Sequence, residues 1–111
     1  MDTITELMQK TADLPRCVAD MRKAGTELAD AEQAYRIEKA LRILAYREAG
    51  YPATYIIDLA KGERRVSELM HDRDVASIMW ESSREALNVC KLQVRVLEAQ
   101  AEREWSNAHR L

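Results

Sequence analysis

The stretch that decides the fold covers residues 49–63 and reads A-G-Y-P-A-T-Y-I-I-D-L-A-K-G-E. Gly50 can take the left-handed conformation that commonly ends a helix, and Pro52 disfavours a helical conformation for the residue before it. A short helix with an apolar side is expected at about residues 53–60, and Gly62 is expected to end it. The centre of the chain is therefore predicted to be a helix end followed by a compact helical connector.

Long helices are predicted on both sides of this connector, over residues 15–49 and 74–107. Good helix formers dominate there, and apolar residues recur at steps of three and four. Two helices of nearly equal length, joined by a short helical connector at residues 53–71, are typical of a long antiparallel helical hairpin. The predicted fold class is all-α, with residues 15–107 forming a single helical-hairpin domain.

The N-terminal residues 1–14 are expected to form a separate short helix or arm. Asp2 can cap its first turn, because a carboxylate accepts hydrogen bonds from unpaired backbone N–H groups there. Pro15 is expected to open the next helix, since proline is tolerated in a first helical turn.

The last predicted helix is too apolar for a two-helix hairpin. Apolar side chains cover most of its circumference between residues 86 and 97, and one facing helix cannot bury so wide an arc. A two-helix hairpin also has little interior of its own. We therefore predict assembly into an oligomeric helical bundle, most simply a dimer that forms four helices. The candidate oligomer core is Leu87, Val89, Leu92 and Val96.

The position of the two cysteines follows from the assumed hairpin register. If Ala49 faces Asp74, then Cys90 lies opposite about Gln33, far from Cys17. No intramolecular disulfide is expected at that separation. Both thiols are expected to be reduced, as is usual in the cytoplasm.

Composition and charge weigh against several classes of protein. There are 17 Lys and Arg residues against 19 Asp and Glu, for a net charge of −2, whereas nucleic-acid binders usually carry a basic excess. The apolar runs are too short for a transmembrane helix, and the chain does not open with a signal peptide. We predict a cytoplasmic protein with no membrane partner.

Motifs for catalysis, metal binding and cofactor binding are absent from the sequence. It has no G-x-G-x-x-G, no G-x-x-x-x-G-K, no C-x-x-C and no H-E-x-x-H. We predict a non-enzymatic protein without a catalytic residue, a metal or a cofactor.

Aromatic and cationic residues gather around the connector. Aromatic rings can stack on a nucleotide base while arginine binds its phosphate, and the same groups suit single-stranded nucleic acid. The alternative is ordinary packing, because rings at helix ends often bury their faces and leave their polar tips in water. In the assumed register, Trp80 lies opposite about Ile43, near this group. The candidate ligand-binding residues are Tyr46, Arg47, Tyr51, Tyr55, Arg64, Arg65 and Trp80.

A helix-turn-helix is a second interpretation of residues 41–71. The pattern is a helix, a turn at Gly50, a short helix, a turn at Gly62 and another short helix. Arg64 and Arg65 would open the recognition helix. Long flanking helices and the acidic net charge argue against it.

Four short stretches carry a resemblance to a known group of proteins. They are A-E-Q-A-Y-R at residues 31–36, A-G-Y-P-A-T at 49–54, L-A-K-G-E at 59–63 and R-E-W at 103–105. With them, about two thirds of the chain resembles small α-helical accessory proteins of phages and prophages of Gram-positive bacteria. The resemblance implies an early accessory role in an infected host, such as recombination or counter-defence.

The leading functional hypothesis is a non-enzymatic phage protein for counter-defence. It would sequester a nucleotide immune signal or dock on a host immune protein. One alternative is a nucleic-acid-binding accessory protein in phage recombination or replication, and another is a structural coiled-coil adaptor.

Overall fold

The computed structural model describes residues 2–110, and within them it contains three helices and no strand. They are α1 (Thr3–Glu48), α2 (Ala53–Gly62) and α3 (Arg64–Ala108). The long helices α1 and α3 pack against each other. The prediction of an all-α fold is therefore confirmed.

Helix α1 begins at Thr3 and continues through Pro15, so it differs from the expected short helix or arm followed by a restart. Its start is capped as predicted, because the Thr5 N–H donates to Asp2 Oδ1 at 2.8 Å. This bond is the main reason that the pKa of the Asp2 carboxyl is lowered. Pro15 removes one backbone hydrogen bond, but good helix formers on both sides continue the helix.

The end of α1 is the left-handed cap that the sequence predicts. Gly50 has φ of +86°, which confirms its role. The Gly50 N–H donates to the Arg47 carbonyl at 3.1 Å, and the Tyr51 N–H donates to the Tyr46 carbonyl at 3.2 Å. This pair of bonds is a Schellman motif, which satisfies carbonyls that the helix end would leave unpaired. Pro52 then extends the backbone before α2.

Helix α3 begins ten residues earlier than predicted. Only Glu63, in an extended conformation, separates α2 from α3, and the helix runs without interruption through residues 71–74. That stretch contains neither glycine nor proline, so its moderate helix propensity does not break a helix already formed on both sides. The arrangement also differs from a helix-turn-helix, in which three or four residues join the helices.

The chain divides into two compact units. Unit 2 is Ala24–Trp80, and unit 1 combines the described residues up to Lys23 with those from Glu81 onward. Both units use the same two long helices, so the single helical-hairpin domain over residues 15–107 stays a prediction.

Unit 2 has a core to which all three helices contribute. Tyr35 of α1 is buried against Val66 and Leu69 of α3. Helix α2 adds the buried side chains of Ile56 and Ala60. The guanidinium of Arg73 lies 4.5 Å from the Tyr35 ring centroid, and Lys39 Nζ lies 5.4 Å from it, so both cations also contact the ring face.

Unit 1 is built from α1 and α3 alone. Its buried apolar residues are Leu87, Cys90 and Val94 of α3. Near one end the buried Thr3 hydroxyl donates to Glu104 Oε1 at 2.8 Å, which ties the start of α1 to the last turns of α3.

The assumed helix register is wrong, and the early start of α3 explains why. Trp80, expected opposite Ile43, lies against Gly25, where a Cβ atom would be 3.1 Å from the ring. Likewise Cys90, expected opposite Gln33, donates to the Lys10 carbonyl and lines the same groove as Cys17. Because α3 begins at Arg64, each of its residues faces a different residue of α1 from the one that the assumed register predicts.

Candidate binding surfaces

The aromatic residues at the connector are partly brought together. The rings of Tyr46 and Tyr51 meet edge to face, with centroids 5.1 Å apart. The Tyr46 hydroxyl donates a short hydrogen bond to the Glu63 carboxylate. This bond, with some burial, raises the pKa of the Tyr46 hydroxyl, because the carboxylate favours the protonated donor. Tyr55 is exposed on α2.

Two of the three arginines of the candidate set already have a carboxylate partner. Arg64 and Arg65 both pair with Glu68, at 3.2 Å and 3.5 Å. Arg47 is exposed in the last turn of α1. The two connector arginines therefore share one exposed ion-pair network.

Trp80 does not belong with this group. It lies fifteen residues beyond Arg65 on α3, a separation of about 22 Å along the helix axis. Its ring packs against Gly25 instead. A small ligand at Arg65 would not reach Trp80.

The candidate oligomer core divides into buried and exposed residues. Leu87 is 5% exposed and faces the interior of unit 1. Val89, Leu92 and Val96 are exposed by 44%, 58% and 54%. Three of the four side chains are thus available to a partner, while Leu87 is used within the chain.

Two rows of residues explain this division. The inner seam, at steps of three and four, includes the buried Leu87, Cys90 and Val94; its members are Ser83, Leu87, Cys90, Val94, Leu97 and Ala101. The outer seam has the same spacing two residues further on; its members are Ser82, Glu85, Val89, Leu92, Val96 and Ala99. Two residues rotate a helix by about 200°, so the outer seam lies on the side of α3 away from the inner seam.

The outer seam could have been found from the sequence. Repeating steps of three and four are the spacing of a coiled-coil contact, and both seams show them in the printed sequence. What the sequence did not reveal was which seam faces α1.

An apolar groove of about 360 Å³ borders the outer seam. Leu92 and Val96 line it together with Leu97, Glu6, Lys10 and Gln93. Ile4 and Met8 of α1 are also exposed in unit 1. The apolar surface of unit 1 is therefore not confined to one helix.

A second groove, of about 700 Å³, brings the two cysteines together. Cys17 and Cys90 both line it, along with charged residues of both signs. Both thiols are free. Cys90 Sγ donates to the Lys10 carbonyl at 3.6 Å. Burial, with a smaller contribution from Cys17, raises the pKa of the Cys90 thiol.

Within residues 2–110, no cluster of three or more His, Cys, Asp or Glu side chains could hold a metal ion. No helix in that range has the length and apolar character needed to cross a membrane. Comparisons of the chain with protein families, curated proteins and solved structures found no match. The resemblance to phage accessory proteins therefore stays a prediction.

Proposed function

We propose that this chain is a non-enzymatic binding protein that acts as a self-associated helical bundle. The outer seam of α3 packs against a second copy of the chain in this proposal. The observation that supports it is the exposure of Val89, Leu92 and Val96 at coiled-coil spacing.

The spacing and charge of the seam favour a second copy as the partner. In a two-fold dimer the same patch meets itself, so an apolar row at steps of three and four is self-complementary. Both signs of charge occur beside the row, including Lys91, Arg95 and Glu98, which limits like-charge repulsion between copies.

For the biological role, we propose phage counter-defence by docking on a host protein, as the resemblance implies. Apolar side chains outside the outer seam, Ile4 and Met8 among them, are also exposed and would be available to a host protein. They suit docking better than the connector suits nucleotide sequestration. There Arg64 and Arg65 already pair with Glu68, and Trp80 lies about 22 Å from Arg65. The absence of a basic excess likewise weighs against nucleic acid as the target.

The experiment is a mass measurement by light scattering on a sizing column. The wild-type chain is expected to elute at a multiple of its 12.8 kDa mass. Leu92→Glu is expected to shift it to the monomer, because a carboxylate in an apolar interface is strongly unfavourable.

The matched control is Lys91→Glu, which makes a larger charge change on the neighbouring exposed residue outside the outer seam. It should leave the mass unchanged, and circular dichroism should show that both variants stay helical. A monomeric wild-type chain, or a Leu92→Glu variant of wild-type mass, would overturn the proposal.

A further inference from the structure

The cysteines of unit 1 form an isolated pair of thiols. Cys17 of α1 and Cys90 of α3 are the two cysteines of the chain, and they meet across the helix contact in the 700 Å³ groove. The proximity of Cys17 also contributes to the raised pKa of the Cys90 thiol. Facing helices pack about 8–10 Å apart, so two inward side chains of this size can come within bonding distance.

Metal binding does not account for the pair. A structural zinc site needs four ligands, and the described residues contain no cluster of three. The pair therefore has the parts for thiol chemistry alone: two free thiols, one from each helix, that line the same solvent-accessible groove.

The two thiols differ in access. Cys90 is buried, whereas Cys17 is half-buried beside the groove. Thiol oxidation begins at the sulfur atom that the oxidant can reach as a thiolate. Cys17 is therefore the site of first attack, and Cys90 is positioned to react second.

We propose that Cys17 and Cys90 are a redox-sensitive pair, which a peroxide oxidises to an intramolecular disulfide linking α1 to α3. The Cys17 thiolate attacks one peroxide oxygen, which forms a sulfenic acid and releases the first water once a proton is taken up. The Cys90 sulfur then attacks the Cys17 sulfur and loses its proton, and the second water leaves. Two thiols and one hydrogen peroxide give one disulfide and two waters, so two electrons pass from sulfur to peroxide.

The disulfide would close a loop that contains all of unit 2, about 70 residues of chain. Closing a loop of that length restricts the unfolded chain strongly. The unfolding midpoint is expected to rise by about 10 °C or more. In the oxidised chain, the disulfide therefore fixes the contact between α1 and α3 in unit 1.

The test uses the full chain treated with hydrogen peroxide and then analysed by mass spectrometry and thermal unfolding. A disulfide joining Cys17 to Cys90 within one chain is expected, with a higher midpoint that dithiothreitol reverses. The proposal would be overturned if peroxide left both thiols reduced. Oxidation of Cys17 to a sulfinic acid, or a disulfide between the Cys17 residues of two copies, would also overturn it.

Two single variants test the order of the steps. In Cys90→Ser the sulfenic acid should persist at Cys17 and be trapped by dimedone. In Cys17→Ser the buried Cys90 should remain unmodified. A dimedone adduct at Cys90 in Cys17→Ser would contradict the assigned roles. Ser82, Glu85 and Val89 of the outer seam also line the groove, so the peroxide treatment is repeated on the Leu92→Glu variant, in which the same disulfide is expected. Its formation in that variant separates the proposal from the outcome of self-association.

Discussion

Units 1 and 2 use the same two long helices in different ways. In unit 2 the short helix α2 adds a third element, and Tyr35, Val66 and Leu69 form a cluster closed from solvent. In unit 1 two helices meet along one seam, and Leu92 and Val96 of the opposite seam stay exposed. Unit 2 also exposes apolar side chains, such as Ile78 and Met79, so the units differ in how their cores are built and not in whether apolar surface is exposed.

This difference shows what a third helix supplies. Two helices can bury only the row of side chains where they touch, whereas a third element adds a second contact face. Unit 2 obtains that element from its own chain, as α2. For unit 1 we infer that a second copy supplies it.

The largest effect is expected in the core of unit 2. Tyr35→Ala should lower the free energy of unfolding by about 3–5 kcal/mol, because it empties the space between Val66, Leu69 and Arg73. The matched control is Tyr55→Ala, since Tyr55 is 61% exposed and its loss should cost less than about 1 kcal/mol. Denaturant titration measures both. Equal losses would mean that unit 2 has no core of the kind described.

A smaller effect, of opposite sign, is expected in unit 1. Ser82 is a polar, exposed member of the outer seam. Ser82→Leu should tighten self-association about tenfold, because one more leucine is buried at the interface. Sedimentation equilibrium measures the change, with Lys91→Leu as the control that adds the same side chain outside the seam. If both variants strengthened self-association equally, the cause would be nonspecific hydrophobic association and not packing along the outer seam.

The smallest effect is confined to alkaline pH and to unit 2. The pKa of Tyr46 is raised above its ordinary 10.0 by its bond to Glu63. Protonated Tyr46 therefore contributes its full stabilisation below pH 10, and this is lost as the pH rises through the raised pKa. Tyr46→Phe should remove that fall in stability above pH 10, whereas Tyr55→Phe should keep it. Identical pH profiles for wild type and Tyr46→Phe would contradict the role given to Glu63.

Local signals in the sequence predicted the helix ends well. Asp2 caps α1, Gly50 takes a positive φ, and α2 follows Pro52, all as expected. Each depends on one or two residues with strong conformational preferences, so the chain nearby is sufficient to decide it.

Helix continuity and register depend on distant contacts and were not predicted. Pro15 suggested a helix start, and residues 71–74 suggested a break, yet α1 and α3 pass through both. Gly25 lies inside α1, where glycine ordinarily weakens a helix, but the Trp80 ring packs against it, and a Cβ there would be 3.1 Å from the ring. Only the register shows that Gly25 makes room for an indole.

The candidate site was predicted in part for the same reason. Tyr46 and Tyr51 are close in sequence and do meet. Trp80 was placed with them through the wrong register, which also separated Cys17 from Cys90. Contacts between residues close in sequence were therefore predicted correctly, whereas contacts between residues on different helices were not.

Amide hydrogen exchange at two protein concentrations tests the central claim most directly, because it reports on both units in one experiment. If the outer seam binds a second copy, amides around Val89–Val96 should become more protected as concentration rises through the association range. Amides around Val66 and Leu69, in the closed core of unit 2, should change much less. Protection of residues 89–96 that is independent of concentration would contradict self-association through this seam.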